Sequence, residues 1–411
     1  MEPEMRRSGR SRRGGRGAFL ITPLGIVWTT VLIDLIGFGI VIPLAPLYAE
    51  DFGAREITVG LLTASYAFMQ FVFAPVLGRL SDRVGRRPVI LVSLAGSCVA
   101  SLLFGVAQAL WMLFLARILD GLSGASYAAA QAYVADVTEP EERAGAMGMI
   151  GAAFGLGFII GPAMGGLFAA VDRRLPFFIA AALAAGNLAL AWRRLPESRH
   201  RRELAPRSRR AILRDALGRR DLAPLVWISF LGTLAFVAME TTFALFAERR
   251  FDFSLADTGL VFAYIGVIVA AVQGGAVRPL VRRSGELRVL MAGLIGTAVG
   301  LALLAATQEV WELLLVLLLM SASSGLVFPT VTGLVSRRAS AEEQGGVLGV
   351  LASTGGAARV IAPVAGTALL GVRLGLPYVI GAVLFAACAV IVSRGVAGLA
   401  PGPAAPLTKD A

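Results

Sequence analysis

Residues 78 to 88 read Gly78-Arg79-Leu80-Ser81-Asp82-Arg83-Val84-Gly85-Arg86-Arg87-Pro88, a short basic break between two apolar runs, 57–78 and 88–107. Each run is long enough to cross a hydrocarbon core of about 30 Å as a helix. The stretch therefore reads as two membrane helices joined at the lipid surface. Its arginines mark that surface as the inner one, because short cytoplasmic loops collect Lys and Arg.

The pattern continues outward along the whole chain. Apolar runs at 23–48, 57–78, 88–107, 110–135, 145–170 and 176–193 precede a polar stretch. Runs at 222–247, 257–279, 288–307, 311–334, 346–371 and 376–397 follow it. They are too long for barrel strands, and a backbone in lipid must satisfy its own hydrogen bonds. The expected fold class is an all-α membrane protein with twelve transmembrane helices. Composition agrees: 411 residues, 57% hydrophobic, 16% charged, mean hydropathy +0.76, where soluble chains keep roughly a quarter of residues charged. With the N-terminus inside, thirty of the 38 Lys and Arg fall in inner segments and six in outer loops. The remaining two, Arg117 and Arg359, lie deep within spans. That bias places both termini in the cytoplasm.

A net charge of +11 raises a nucleic-acid partner. The basic residues sit in short gaps between apolar runs, so topology accounts for them and the expected partners are the lipid bilayer and a small-molecule substrate. A monomer is expected. The six arginines before the first run resemble the start of a signal peptide, but that run exceeds the roughly 7–15 residues of a signal core. It reads as the first helix. Cys98 and Cys388 lie in apolar runs as core residues, and His200 in a polar loop.

The longest polar stretch divides the chain. The expected organisation is a basic tail (1–22), a six-helix half (23–193), a basic linker (194–221), a second six-helix half (222–397) and a tail (398–411). Residues 139–166 and 340–367 match at an offset of 201: Glu141-Glu142 on Glu342-Glu343, Gly148 on Gly349, Gly155 on Gly356, Pro162 on Pro363 and Gly165 on Gly366. At an offset of 200, Leu80, Arg83 and Gly85 fall on Leu280, Arg283 and Gly285. Repeats of this kind, related by an axis along the membrane normal, build transporters with a midplane site.

In the opening stretch Gly78 permits close helix approach, Gly85 a positive-φ turn, and Asp82 can accept from a helix N-terminus or an arginine. An ordinary basic loop explains the arginines but not the Gly/Asp/Gly spacing. Here the chain resembles the major facilitator superfamily, whose signature in this loop is G-x-L-x-D-x-x-G-R-[RK], and the resemblance covers residues 20–395. It implies alternating access by two rocking halves, with Gly78, Asp82, Gly85 and Arg86 forming an inner gate. The second-half copy departs from the signature, with Arg278 and Arg282 replacing the glycine and aspartate, which puts a symmetric second latch in doubt.

The fifth run carries Gly151, Gly155, Gly157, Gly161-Pro162 and Gly165-Gly166. Glycines at this spacing expose backbone for helix contact, and Pro162 adds a kink. A structural role suffices, yet the G-P-x-x-G-G ending resembles the antiporter motif of drug/proton exchangers and favours export. Asp34 lies 11 residues into the first run, roughly 16 Å deep at 1.5 Å per residue. A carboxylate there costs at least about 2.5 kcal/mol on insertion scales, so it is functional by default. Its surroundings, Leu-Ile-Asp-Leu-Ile-Gly-Phe-Gly, are similar to the first-helix motif of the twelve-helix drug/proton antiporter branch, which includes tetracycline exporters. In that branch this acid takes part in proton coupling or substrate binding. Arg117, Asp120, Gly121 and Gly124 share one face of the fourth run. Arg117 matches an arginine that the family uses to govern protonation of a nearby acid; alternatively Arg117 and Asp120 form a purely structural pair. Glu240 is the sole acid deep in the second half, either facing a cationic substrate or pairing with Arg249 or Arg250. Arg359 has no acid in its own helix. Phe38, Tyr66, Phe71, Phe73, Phe236 and Tyr264 line a cavity or simply pack.

The function implied is a secondary transporter exporting small amphipathic compounds in exchange for protons, needing no cofactor and binding no metal. A proton-coupled uptake symporter on the same fold is the runner-up. A non-transporting receptor or scaffold has no use for Asp34, Asp82 and Arg117. An intramembrane protease at Gly121-Leu122-Ser123-Gly124 lacks a histidine base, since the only histidine is in the linker. No enzyme is expected, and no phosphate-binding loop is present to use ATP. Nearly complete use of Arg over Lys suggests a high-GC bacterial genome and hence the cytoplasmic membrane.

Overall fold

The structure, a computed structural model, describes residues 22–198 and 214–399 apart from positions 125, 140, 141, 216, 220 and 339–342. Expectations for the basic N-terminal tail, the C-terminal tail, His200 and most of the 194–221 linker lie outside the described residues. The chain is a multi-pass bundle of helices: α1 (Pro23–Glu50), α2 (Glu56–Val84), α3 (Arg86–Gly105), α4 (Leu110–Ser123), α5 (Ser126–Val137), α6 (Arg143–Ala169) and α7 (Leu175–Arg194). There follow α8 (Ala223–Phe251), α9 (Leu255–Ser284), α10 (Glu286–Leu304), α11 (Val310–Arg338), α12 (Gln344–Val372) and α13 (Leu376–Leu399). Among the described residues eleven helices are long and apolar enough to cross a membrane.

The run 110–135 differs from expectation. It is two helices, α4 and α5, and neither alone is long enough to span. Ser123 and Gly124 are weak helix formers. Ser123 Oγ donates back to Leu119 O at 2.8 Å, which loosens the turn. Gln70 Nε2 from α2 then takes the carbonyl that Gly124 releases, at 3.3 Å. Elsewhere local chemistry sets the ends as expected. Thr22 Oγ1 caps α1 at Gly25 N, 3.1 Å, ahead of Pro23 in the first turn. A reciprocal Ser254/Asp257 capping box starts α9, and Asp252 in the left-handed region ends α8. Helix α9 carries one π turn over Val272–Ala276, around Gly274 and Gly275.

Packing follows the repeat. One apolar core is made wholly from residues 222–392 and another from residues 26–195 around Ile90, Tyr133 and Ile150. A third, around Leu44, Tyr48 and Phe177, takes in Ala244, Leu245 and Leu370 from the second half. Two seams join the halves, α2 against α12 and α6 against α9. Large apolar side chains ring the outside, with Trp111 and Trp311, 200 residues apart, 65% and 62% exposed. Such a belt suits lipid and its interface.

Candidate transport site

The antiporter-like glycines form a plate with two faces. On one face a Cβ at Gly157 would stand 2.6 Å from Leu35 Cβ, and one at Gly161 2.7 Å from the Gly39 Cα. Backbone therefore lies on backbone beside Asp34, and only glycine allows it. On the other face a Cβ at Gly166 would stand 2.9 Å from the Gly259 Cα, and one at Gly259 2.5 Å from Pro162 O. The helix thus couples the acid-bearing α1 to the second half.

Asp34 borders a cavity with room for about one water, shared with Thr30, Ile90, Ala130 and Leu195. Asn187 Nδ2 donates to Thr30 O at 2.8 Å, which ties α7 to α1 just below the acid. Helix α4 brings in Arg117, 2% exposed. Its guanidinium carbon lies 5.0 Å from the centroid of the Tyr66 ring on α2. Its Nε and Nη1 are buried without a hydrogen-bond partner. Asp120 Oδ1 instead accepts from Ser97 Oγ of α3 at 3.1 Å. The structural Arg117–Asp120 pair, one of the two readings of the sequence, is not formed: no ion pair within 4.0 Å joins them. The arginine meets a π face, and its carboxylate neighbour meets a hydroxyl.

Tyr66 lies within electrostatic reach of Asp34, Arg117 and Asp120 and of Arg359 from α12. Arg359 in turn reaches Glu240 on α8. The pairing of Glu240 with Arg249 or Arg250 is not observed. Arg249 is taken by Glu50 at 2.6 Å and Glu56 at 2.9 Å, and Arg250 sits 5.9 Å from the Phe246 ring centroid. Phe38 lies against Tyr66 and Phe158, while Phe236 packs on Phe328 and Tyr264 donates to Leu314 O. Phe71, 42% exposed, reaches Gly356 across the α2/α12 seam.

The gate motif is folded on itself. Asp82, its side chain 56% exposed, pairs with Arg86 at 2.6 Å in its own motif. Arg86 also donates to Ser81 Oγ at 2.6 Å and to Asp136 of α5 at 3.2 Å. Gly85 has φ +109°, and the space its missing Cβ leaves is filled by the Glu197 carboxylate. Glu197 accepts from Arg86 N at 2.8 Å and Arg87 N at 3.4 Å, capping α3, whose third residue Pro88 has no N–H to offer. A Cβ on Gly78 would meet nothing within 4 Å. In the second half Glu286 pairs with Arg337, 200 and 201 residues on from Arg86 and Asp136. The bridge is kept and its signs are exchanged.

Sequence reasoning missed Tyr66 as the partner of Arg117, Glu197 as the cap, and the Arg249 clamp. Glu197 and Arg249 join residues more than a hundred positions apart, with no local pattern to expose them. For Tyr66 a signal existed in Gly121, one turn beyond Arg117, where a Cβ would stand 2.5 Å from Tyr66 O.

Comparison with known proteins matches the family model described as Major Facilitator Superfamily to residues 27–281 and 276–409. The tetracycline resistance protein, class C, of Escherichia coli is 35% identical over 382 residues, 90% of this chain and 96% of that protein. Multidrug resistance protein 1 of Bacillus subtilis (strain 168) is 31% identical over 372 residues, 88% and 93% of the two chains. Among solved structures the human organic anion transporter MFSD10 (TETRAN) superposes with a TM-score of 0.70 at 25% identity, covering 90% of this chain and 98% of that one. The POT family transporter PepTSo gives 0.76 at 12% identity, covering 92% and 98%, a likeness of fold alone.

Proposed function

This chain belongs to the major facilitator superfamily, and from that premise we infer that it is a secondary transporter exporting small amphipathic, drug-like compounds in exchange for protons. Resistance proteins among its relatives point to antimicrobials, tetracyclines included, as the compounds to try first. The observation that carries the reading is the plate of glycines on α6, which presses α1 at Asp34 on one side and α9 of the other half on the other. A change in the acid's protonation or occupancy is thereby felt at the seam between the halves, as exchange by alternating access requires.

In this account Asp34 takes the proton, with Arg117 and Asp120 setting when it does so, and Glu240 and Arg359 offer charge from the second half. Helices α4 and α5 together make one kinked crossing, so the chain crosses twelve times. Residues 23–193 and 222–397 form the rocking halves, and the tails and linker lie in the cytoplasm. The protein acts as a monomer in a bacterial cytoplasmic membrane, uses protons and no cofactor or metal, binds no nucleic acid and catalyses no reaction. With that orientation, the Arg249 clamp closes the outer side and Asp82 belongs to an inner side that stands open.

The test is efflux driven by an imposed proton gradient in reconstituted vesicles. Asp34→Asn is expected to fold, bind lipid normally and lose coupled efflux by at least a hundredfold. Retained coupling in that variant contradicts the assignment.

A further inference from the structure

We propose that Tyr66 is a positioning residue of the exchange: its ring holds the Arg117 guanidinium away from the first-half carboxylates, and Arg117 leaves the ring for a carboxylate during the cycle. The inference rests on the drug/proton reading and deepens it.

A buried guanidinium is costly unless its donors are met. Arg117 has Nε and Nη1 buried and unmet, and its partner is a π face at 5.0 Å. A π face meets none of the guanidinium N–H donors, whereas a carboxylate meets them with short, charge-assisted hydrogen bonds. The present contact is therefore a resting place that an ionised carboxylate within reach would outbid. Asp120 on α4 lies within electrostatic reach of Arg117, and Asp34 on α1 within reach of the ring that Arg117 rests on. Asp120 accepts from Ser97 Oγ through Oδ1, and a carboxylate has acceptor sites for further donors.

The ring itself is fixed. Phe38 of α1 lies 5.4 Å from its centroid, and Gly121 lets α4 rest on its backbone. Gln70 Nε2 donates both to Tyr66 Oη at 3.1 Å and to Gly124 O at 3.3 Å, which ties the ring to the break between α4 and α5. The charged groups facing it from the packed elements are Asp34 from α1, Arg117 and Asp120 from α4, and Arg359 from α12. Arg359 comes from the other half, so a movement of the halves changes the field on Arg117 and its alternatives together. A tyrosine that merely filled space would need neither the arginine on its face nor the tether to the helix break.

The experiment uses full-length protein in detergent with tetraphenylphosphonium, a fixed cation that carries no proton of its own, and with tetracycline. Protons released per probe bound are read with a pH dye, and probe affinity is read separately. Tyr66→Phe and Tyr66→Trp keep the π face and are expected to release protons within twofold of wild type. Tyr66→Leu and Tyr66→Met remove it, leave Arg117 to occupy a carboxylate permanently, and are expected to cut release at least fivefold, with probe affinity changed less than threefold. Methionine repacks easily, so it carries the test should the leucine variant not fold. Undiminished release in the folded Leu or Met variant overturns the proposal alone. Equal loss in Phe and Leu overturns it too, and assigns the effect to the hydroxyl and its Gln70 bond. A wild type that releases no protons with either probe overturns the exchange reading, and this proposal with it.

Discussion

The same two seams look different at their two ends. At the end that carries Glu50 and Arg249 the halves touch backbone to backbone, and a Cβ at Gly60 or Gly166 would strike the facing helix. At the linker end the same four helices present Gly78, Gly148, Gly151, Gly274 and Gly349, where a Cβ would meet nothing within 4 Å. Small residues kept on an open face have no packing reason in this state. They make sense if that face closes in another state while the first one parts. The contacts also give the register. Along α2/α12, Glu56 meets Gly371, Gly60 meets Val364 and Phe71 meets Gly356. Continued inward, the series sets Gly78 against Gly349 and Asp82 against the start of α12, where a carboxylate suits the helix dipole. Along α6/α9, Gly166 meets Gly259, Phe158 meets Gly266 and Gly155 meets Ala270. Continued, it sets Glu142 against Arg283.

The largest effect is expected from filling the seams. Gly166→Val at the closed end should reduce efflux more than tenfold and leave an outer-cavity cysteine permanently open to labelling. Gly148→Val at the open end should leave the present state folded and equally stable while blocking efflux; thermal unfolding and transport read together separate the two. Next, cysteines at Glu142 and Arg283 should cross-link when the inner end closes and arrest transport, restored by reductant. Absence of cross-linking would break the register argument, and efficient cross-linking with no loss of transport would break the alternation. A smaller effect attends the clamp. Arg249 holds two carboxylates that keep part of their surface in solvent, and such exposed pairs are worth about 0.2–1 kcal/mol each. Arg249→Ala should therefore raise outer labelling a few-fold without abolishing efflux.

The smallest concerns the end of the linker. Arg219 donates to Asp221 and, at 3.0 Å, to Glu343, and its hydrogen bond holds the Asp221 carboxyl below its ordinary value of 3.8. A depressed carboxyl adds stability above its unfolded value and loses it as pH falls through the folded one. The stability gap between wild type and Asp221→Asn should thus persist at neutral pH and vanish in acid below that value, which thermal melts from pH 3 to 7 would follow.

How much could be read beforehand follows from the reach of each interaction. The crossings, the glycine plate and the embedded acid are local features of single runs, and hydropathy or spacing exposes them. The break at Gly124 was missed because no proline or polar loop marks it between Leu110 and Val137, and the carbonyl it frees is met by Gln70, 54 residues earlier. The partners of Arg117, Arg249 and the α3 N-terminus were missed for the same reason: each is chosen by tertiary packing. The repeat offered a partial guide, since Arg86–Asp136 maps onto Glu286–Arg337 with reversed sign, a substitution that identity matching hides.

The most direct test is proton release on addition of tetraphenylphosphonium to purified wild type and Asp34→Asn, both verified as folded and monodisperse. The account predicts protons released by wild type and none by the variant. Equal release from both would contradict Asp34 as the proton carrier, and no release from either with this cation or with tetracycline would contradict drug/proton exchange itself.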